Sequence, residues 1–297
     1  MKISRRDFLK FTMASAVTLG LSELHLFNFE SALAKAPSKI PVIWLNGSGC
    51  SGCSISLMNA VNPTIDSVLL NNIDLGYHPT LMAAAGDMAV RSAQQTAEAG
   101  GYVLVVEGGI PTGAGGKYCY VWGANDKHVT MSAAVRALAT YATHIIAVGT
   151  CASYGGVSKA YSLTATKGVS SFLGKKVINL PGCPTHPDWI IGTLVQLIGG
   201  TIPDLDSNGR PRMYYPSKIC NNCPNKEHDE AKRLGQRGMC LEEVGCKGED
   251  TFADCGLRKW NNGQGWCIGV NSPCIGCTEP SFPSFPLRGG ENDEGED

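Results

Sequence analysis

The sequence predicts an α/β fold, a doubly wound parallel sheet followed by a cysteine-rich segment with little regular structure. From about residue 40 to residue 200, short Val- and Ile-rich runs bounded by Gly or Pro alternate with stretches of helical periodicity. That pattern is typical of sheets with buried parallel strands. After Pro203 the alternation stops, and eight of the 13 cysteines follow. A segment of that kind needs internal staples or metal centres to fold.

The predicted strands and helices follow one another in a regular order. The strands are expected at IPVIWLN (40–46), YVLVVEGG (102–109), HIIAVGT (144–150) and KVINLPG (176–182). The helices between and after them are expected at 86–100, 130–142 and 187–200. The first of these helices ends at a glycine, and the last begins at a proline, which are the residues favoured at those positions. Repeated strand–helix units predict a parallel sheet with helices on both faces.

The two ends of the chain are set apart from this fold. Residues 1–34 are predicted to be a twin-arginine export signal, because Arg5 and Arg6 precede a mildly apolar stretch and a small-residue cleavage site. A chance arginine pair on an amphipathic start of the domain is the alternative. Residues 286–297 are acidic and glycine-rich and are expected to be disordered. The α/β domain is therefore expected over 35–202 and the cysteine-rich domain over 203–285.

Charge and hydropathy limit the partners and the location. The formal net charge of −1 gives no case for nucleic acid or an anionic membrane surface. No stretch after the signal has the roughly 18 unbroken apolar residues of a membrane helix, so none is expected in this chain. The twin-arginine route exports folded proteins that already carry cofactors, which predicts a periplasmic protein that can take metal-bound thiolates into an oxidising space.

The stretch NGSGCSGC (46–53) contains a dinucleotide-binding fingerprint. Gly47, Gly49 and Gly52 spell G-x-G-x-x-G after a strand and before a helix. Two cysteines occupy the tips where a pyrophosphate would need bare backbone N–H groups. A nucleotide-linked oxidoreductase therefore stays as an alternative, while glycines at such a turn also allow close approach to a bulky inorganic cofactor.

Cysteines follow three of the predicted strands. Cys50 and Cys53 follow the first strand, Cys151 follows AVGT, and Cys183 follows NLPG. The carboxyl ends of parallel strands line one crevice, so these four thiols are expected to converge there. Four thiolates at one point suit a 4Fe–4S cluster or zinc, and buried core cysteines are the alternative. Glu107 ends another strand and is expected either to carry protons or to cap a loop.

The cysteine-rich segment contains two C-x-x-C pairs, each with two further cysteines. The first set is Cys220, Cys223, Cys240 and Cys246, and the second is Cys255, Cys267, Cys274 and Cys277. Two four-cysteine iron–sulfur sites, zinc sites and disulfides all fit this spacing. Thirteen is an odd number, so disulfides within one chain cannot use every cysteine. Cys119 is expected to be an unliganded thiol.

The chain resembles the small subunit of periplasmic nickel–iron hydrogenases over nearly its whole length. The resemblance rests on the order of the segments SRRDFLK, WLNGSGCSGC, VEGGIP, GTCASYGG, PGCPTHPDW, CPNKEHD, EVGCKGEDTFADC, RKWNNG and PCIGCTEP. It implies a flavodoxin-like first domain and an iron–sulfur second domain. It also implies a large subunit that holds the nickel–iron site, so that no catalytic residue lies in this chain.

The resemblance implies three iron–sulfur clusters, all expected to be 4Fe–4S. We call their ligand sets the proximal group (Cys50, Cys53, Cys151, Cys183), the distal group (Cys220, Cys223, Cys240, Cys246) and the medial group (Cys255, Cys267, Cys274, Cys277). The implied function is electron transfer in a periplasmic uptake hydrogenase, from hydrogen oxidation on the large subunit to a cytochrome c or a membrane-bound acceptor. A secreted, disulfide-stapled binding protein is the alternative from another class.

The chain departs from the commonest family pattern at several positions. Cys220 stands where the distal cluster usually has a histidine, and Cys267 stands where a proline usually leaves a 3Fe–4S medial cluster. The second departure resembles the nickel–iron–selenium branch, and the medial cluster would be 3Fe–4S if Cys267 is not a ligand. The extra proximal cysteines of oxygen-tolerant relatives would fall at Gly52 and Gly156, so that device is expected to be missing.

Overall fold

The computed structural model describes residues 39–283, except 62, 125, 126 and 161. The predicted export signal and the acidic tail lie outside the described residues and stay predictions. The chain forms two compact units, which divide between Met213 and Tyr214. Residues 203–213, which the sequence assigned to the second domain, therefore belong with the first unit. Asn179 ties them to it, because its N–H donates to the Gly209 carbonyl at 2.8 Å.

The first unit is built on a five-stranded parallel sheet. Seven strands are described, namely β1 (Ile40–Asn46), β2 (Ile73–Tyr77), β3 (Val103–Glu107), β4 (Tyr120–Ala124), β5 (Lys127–Thr130), β6 (His144–Val148) and β7 (Ile178–Leu180). The order in the sheet is β2-β1-β3-β6-β7, and every neighbouring pair is parallel. Among the parallel strands this is the flavodoxin-like order, with its reversal between β1 and β3. The predicted α/β class is confirmed.

The sheet is buried on both faces, as the continuous apolar runs predict. Leu45 on β1, Val105 on β3 and Ile146 on β6 are each 0 % exposed. β1 pairs with β3 from Val42↔Val103 to Asn46↔Glu107, so the two strands end side by side. This register brings the loops that follow β1 and β3 to the same point of the sheet edge.

Helices cover the sheet, and both units contain short helical turns. The helices are α1 (Gly52–Met58), α2 (Ile65–Asn71), α3 (Gly86–Ala99), α4 (Met131–Leu138), α5 (Thr150–Tyr154), α6 (Gly156–Lys159), α7 (Val169–Leu173), α8 (Pro187–Ile198) and α9 (Cys255–Arg258). The 3₁₀ turns lie at Gly113–Gly116, Ser162–Thr164, Ile219–Asn222 and Ile268–Val270. The three predicted helices correspond to α3, α4 and α8.

The second unit, which starts at Tyr214, is mostly irregular over its described residues. Its regular elements are α9 and two 3₁₀ turns, and its pairing is limited to isolated bridges such as Lys218↔Phe252. A buried ion pair holds α9 to the preceding turn, because Arg258 Nη2 lies 2.6 Å from Asp254 Oδ2. Across the described part of the chain, none of the helices has the length and apolar character needed to cross a membrane.

Candidate metal centres

The proximal group lies at the reversal of strand order between β1 and β3. The loops after these strands are joined by backbone hydrogen bonds. The Gly47 N–H donates to the Glu107 carbonyl at 2.7 Å, and Ser48 and Gly109 exchange bonds of 3.0 and 2.8 Å. Ligands of open parallel sheets bind at such a reversal point. Cys50 follows directly, on the loop into α1, and Cys53 lies in the first turn of that helix.

Glycines in these loops are required by their packing. An added Cβ on Gly47 would lie 2.6 Å from the Gly109 carbonyl oxygen, and one on Gly108 would lie 2.8 Å from the Gly47 carbonyl carbon. Gly108 also has a φ of +83°, which side chains rarely adopt. The packing of two loops therefore accounts for Gly47 without a nucleotide.

The four cysteines of the proximal group influence one another electrostatically. Burial, and after it the Cys183 and Cys50 thiolates, raise the pKa of Cys151 to about 11. Burial, Glu107 and Cys151 raise the pKa of Cys53. The structure thus brings together the four thiols that the sequence expects at the strand ends.

Three further glycines leave room for the proximal sulfurs. A Cβ on Gly149 would lie 2.7 Å from Cys53 Sγ, and one on Gly156 would lie 2.6 Å from Cys151 Sγ. A Cβ on Gly52 would lie 3.1 Å from Cys50 Sγ. Side chains at 52 and 156 would therefore point at the cysteine sulfurs.

Thr185 and His186 serve the proximal region structurally. The Cys53 thiol lies 3.9 Å from Thr185 Oγ1, and this hydroxyl donates to the Leu180 carbonyl at 2.6 Å. His186 caps α8, since its Nδ1 accepts the Asp188 N–H at 3.1 Å. Thr185 was not predicted from the sequence, although its place two residues after Cys183 is a signal.

Glu107 caps α1 from the end of β3. Its Oε1 accepts the N–H groups of Cys53 and Ser54 at 3.0 and 3.1 Å. The ordinary N-cap residue, Ser51, makes no side-chain cap hydrogen bond. Glu107 therefore fixes the helix turn that carries Cys53, and the second of its two expected roles, capping, is the one that these contacts favour.

The distal group is gathered in the second unit. Burial, and after it Cys246, Cys223, Glu249 and Cys240 in that order, raise the pKa of Cys220 to about 11. An added Cβ on Gly248 would lie 3.1 Å from Cys220 Sγ and 3.5 Å from Cys246 Sγ.

His228 lies near the distal group and is held by a backbone contact. Its Nδ1 donates to the Gly238 carbonyl at 2.6 Å.

The medial group is gathered around Cys255. Burial raises the pKa of this thiol, and Cys277, Asp254, Cys267 and Cys274 raise it further. The Cys274 thiol donates to Thr251 Oγ1 at 3.6 Å. The Thr251 hydroxyl in turn donates to the Lys247 carbonyl at 2.5 Å. Thr251 is a second residue that was not predicted from the sequence.

Two hydrogen bonds donated by backbone N–H groups join the medial and distal groups. The Cys274 N–H donates to Cys246 Sγ at 3.3 Å, and the Lys247 N–H donates to the Cys274 carbonyl at 2.7 Å. Cys246 also raises the pKa of Cys274, after burial, which brings that pKa to about 11. The two groups are therefore in direct contact.

All 13 cysteines lie among the described residues, and none of them forms a disulfide. The disulfide-stapled alternative is therefore wrong. Cys119 packs against the hydrophobic core of the first unit, and burial raises its pKa. Within residues 39–283, the four gaps aside, no group of three or more His, Cys, Asp or Glu side chains is arranged to bind a single metal ion.

The three groups fit iron–sulfur clusters by the chemistry of their donors. Thiolates are the ligands of such clusters, and a thiol must lose its proton to bind. The raised pKa values of Cys151, Cys220 and Cys274 mean that these thiols stay protonated unless a cation compensates the thiolate charge. Iron would supply that cation.

Comparisons with known proteins agree with this assignment. Residues 50–197 match the family model described as NADH ubiquinone oxidoreductase, 20 Kd subunit. Residues 215–286 match the model described as the C-terminal part of the NiFe/NiFeSe hydrogenase small subunit.

Relatives that match over nearly the whole chain are also hydrogenase small subunits. The chain is 42 % identical to the periplasmic [NiFeSe] hydrogenase small subunit of Desulfomicrobium baculatum, over 95 % of this chain and 97 % of that one. It is 39 % identical to the periplasmic [NiFe] hydrogenase small subunit of Solidesulfovibrio fructosivorans, over 94 % and 90 %. The structure of the D. baculatum [NiFeSe]-hydrogenase matches with a TM-score of 0.80 at 42 % identity, over 86 % of this chain and 100 % of that one.

Proposed function

We propose that this chain, which belongs to the small-subunit family of nickel–iron and nickel–iron–selenium hydrogenases, carries electrons through three iron–sulfur clusters. It is one subunit of a heterodimeric hydrogenase, and its partner is the nickel–iron large subunit. Hydrogen is activated on that partner. The chain itself supplies no catalytic residue in this proposal, only ligands and the surroundings that tune them.

One observation supports the proposal: twelve of the cysteines fall into three groups of four, and thiols of the same group raise one another's pKa. The proximal, distal and medial groups would each hold one 4Fe–4S cluster through its four thiolates. When bound, such clusters take up and release single electrons. The chain's own residues exclude water from Cys53 and Cys274, which are 8 % exposed each, and donate a backbone N–H to Cys246 Sγ. Burial and hydrogen bonds to sulfur are the means by which a protein sets a cluster's potential.

The finer parts of the proposal concern place and partners. The relatives named periplasmic support a periplasmic location, reached by twin-arginine export. We propose uptake of hydrogen as the physiological direction, with a cytochrome c or a membrane-bound protein as the external acceptor.

The composition of the purified heterodimer tests the proposal. Anaerobic preparations should be brown, and each small subunit should contain about twelve iron and twelve acid-labile sulfide atoms. Cys53→Ala, Cys223→Ala and Cys274→Ala, one for each group, should each lower the iron content by a separate fraction. A colourless wild-type protein, or three variants with full iron, would overturn the proposal. Cys119→Ala is the matched control and should keep all of the iron.

A further inference from the structure

A chain of buried polar side chains ends at the carboxylate of Glu107. Glu107 is 2 % exposed, and Ser54 and His78 are 0 % exposed. Glu107 Oε2 accepts hydrogen bonds from Trp44 Nε1, at 3.0 Å, and from the Ser54 hydroxyl. With the Cys53 and Ser54 N–H groups on Oε1, four donors point at this one carboxylate. A buried polar network of this kind is costly unless every member is satisfied.

The direction of these hydrogen bonds follows from the imidazole. The backbone N–H groups of Thr80 and Leu81 donate to His78 Nδ1 at 3.1 and 3.2 Å, so that nitrogen carries no proton. Burial lowers the pKa of His78 to about 4, so the ring is neutral at neutral pH and its proton lies on Nε2. Nε2 faces Ser54 Oγ at 3.4 Å and donates to it.

The direction of the chain fixes the charge at its end. Because Ser54 Oγ accepts from His78, its own proton points to Glu107. Two backbone N–H groups, one indole N–H and one hydroxyl then face the carboxylate, and all four can only donate to it. A protonated carboxyl would have no acceptor among them. Glu107 is therefore held as an anion that is hydrogen-bonded to the backbone N–H of Cys53.

We propose that Glu107, held ionised by its four hydrogen-bond donors, lowers the reduction potential of the proximal cluster. A fixed negative charge beside Cys53 opposes the arrival of an electron on that cluster. The inference rests on the proposed function, since it takes Cys53 as a cluster ligand. Glu107 is a positioning residue by its contacts with α1 and a tuning residue by its charge.

Two substitutions with opposite expected signs separate tuning from mere capping. Glu107→Gln keeps the size of the side chain and one carbonyl acceptor for the α1 N–H groups but removes the charge. The proximal potential should therefore rise. Ser54→Ala leaves three of the four donors, and with them the charge, but removes the hydroxyl that partly offsets that charge, so the proximal potential should fall. A role in capping alone predicts no such reversal of sign.

The measurement is a redox titration of the anaerobic heterodimer, followed by electron paramagnetic resonance, with iron analysis of each sample. The distal and medial signals should keep their potentials in both variants. Glu98→Gln, the same change on the exposed face of α3, is the control and should move none of them. If Glu107→Gln loses iron, Ser54→Ala alone decides by its downward shift.

The outcomes distinguish this inference from the proposal beneath it. Wild-type protein without a proximal cluster would end the proposed function itself. Full iron in all samples, with an unmoved proximal potential in Ser54→Ala and Glu107→Gln, would overturn only the tuning role of Glu107.

Discussion

Cys267 is the residue on which the composition of the medial centre depends. Burial, Cys277 and Asp254 raise the pKa of Cys255 most, and Cys267 raises it further. The sulfur of Cys267 therefore faces the medial group. A fourth thiolate can hold a fourth iron. We expect Cys267→Pro to convert the medial 4Fe–4S cluster to a 3Fe–4S form and to lower the iron content by about one atom.

Electron paramagnetic resonance of the oxidised heterodimer checks this conversion. A new 3Fe–4S signal should appear in Cys267→Pro and be absent from Cys119→Ser, which changes a thiol outside the three groups. A stoichiometric 3Fe–4S signal already present in the wild type would show that Cys267 is not a ligand.

Cys220 is the second residue with a specific electrochemical consequence. A thiolate carries a negative charge that a neutral imidazole lacks, so an all-cysteine distal cluster should have the lower potential. Cys220→His should keep the cluster and raise its potential, on the order of 100 mV by analogy with the ligand exchange in Rieske centres.

The same experiment separates Cys220 from its histidine neighbour. His228→Ala should leave the distal cluster in place, since His228 Nδ1 is engaged with the Gly238 carbonyl. A redox titration that finds no distal cluster in His228→Ala, or an intact one in Cys220→Ala, contradicts the assignment.

The ligand groups could be predicted from the sequence because strand ends and C-x-x-C spacing are local signals. The network around Glu107 could not. Ser54 and His78 lie 53 and 29 positions before it in the chain, and the pairing of β1 with both β2 and β3 brings these segments together. Hydrogen-bond direction also depends on the backbone N–H groups of Thr80 and Leu81, which no sequence pattern reports.

At the scale of elements, the buried strands and long helices were predictable, and the short elements were not. β1 has the bounds expected, Ile40–Asn46, because a continuous apolar run bounded by glycine leaves little choice. α1 and α2 have seven residues each, too few for periodicity to appear. The antiparallel β4–β5 hairpin was missed as well, since it lies outside the sheet and its partly exposed residues lack the apolar run of a core strand.

The junction between α5 and α6 gives a prediction at this scale. Gly156 opens α6 with a φ of +54°, and its added Cβ would lie 2.6 Å from Cys151 Sγ and 2.8 Å from Cys151 Cα. We expect Gly156→Ala to displace Cys151 and to lose the proximal cluster, about a third of the iron.

Gly86 is the matched control for this substitution. It opens α3 with a φ of +55°, and nothing lies within 4 Å of its added Cβ. Gly86→Ala should therefore carry the same backbone strain, about 1–2 kcal/mol, and keep all of its iron. Equal iron content in the two alanine variants, measured by elemental analysis, would show that the contact with Cys151 does not matter.

At the scale of the whole molecule, export is the first consequence of the proposed function. The arginine pair of the predicted signal would carry the folded heterodimer out of the cytoplasm. Arg5→Lys combined with Arg6→Lys should leave nearly all hydrogenase activity in the cytoplasmic fraction. Activity assays on separated periplasm and cytoplasm check this. Undiminished periplasmic activity in the double variant would rule out the signal.

Behaviour under air is the second consequence for the whole enzyme. Gly52 and Gly156 stand beside Cys50 Sγ and Cys151 Sγ, where further thiolates would be needed to modify the proximal cluster. With glycine at both positions, an ordinary cubane is expected, and hydrogen oxidation should stop within minutes of exposure to air. Amperometric measurement of hydrogen consumption tests this, and sustained turnover in air would contradict it.

The contact between Cys274 and Cys246 bears on how the second unit matures. The hydrogen bonds from the Cys274 N–H and the Lys247 N–H join loops that belong to two different ligand groups. A chain that has closed around one cluster has therefore already ordered part of the loop that receives the next. The entropy of ordering is lost once rather than twice. Half-loaded chains should be scarce, and cluster insertion into this unit should be cooperative.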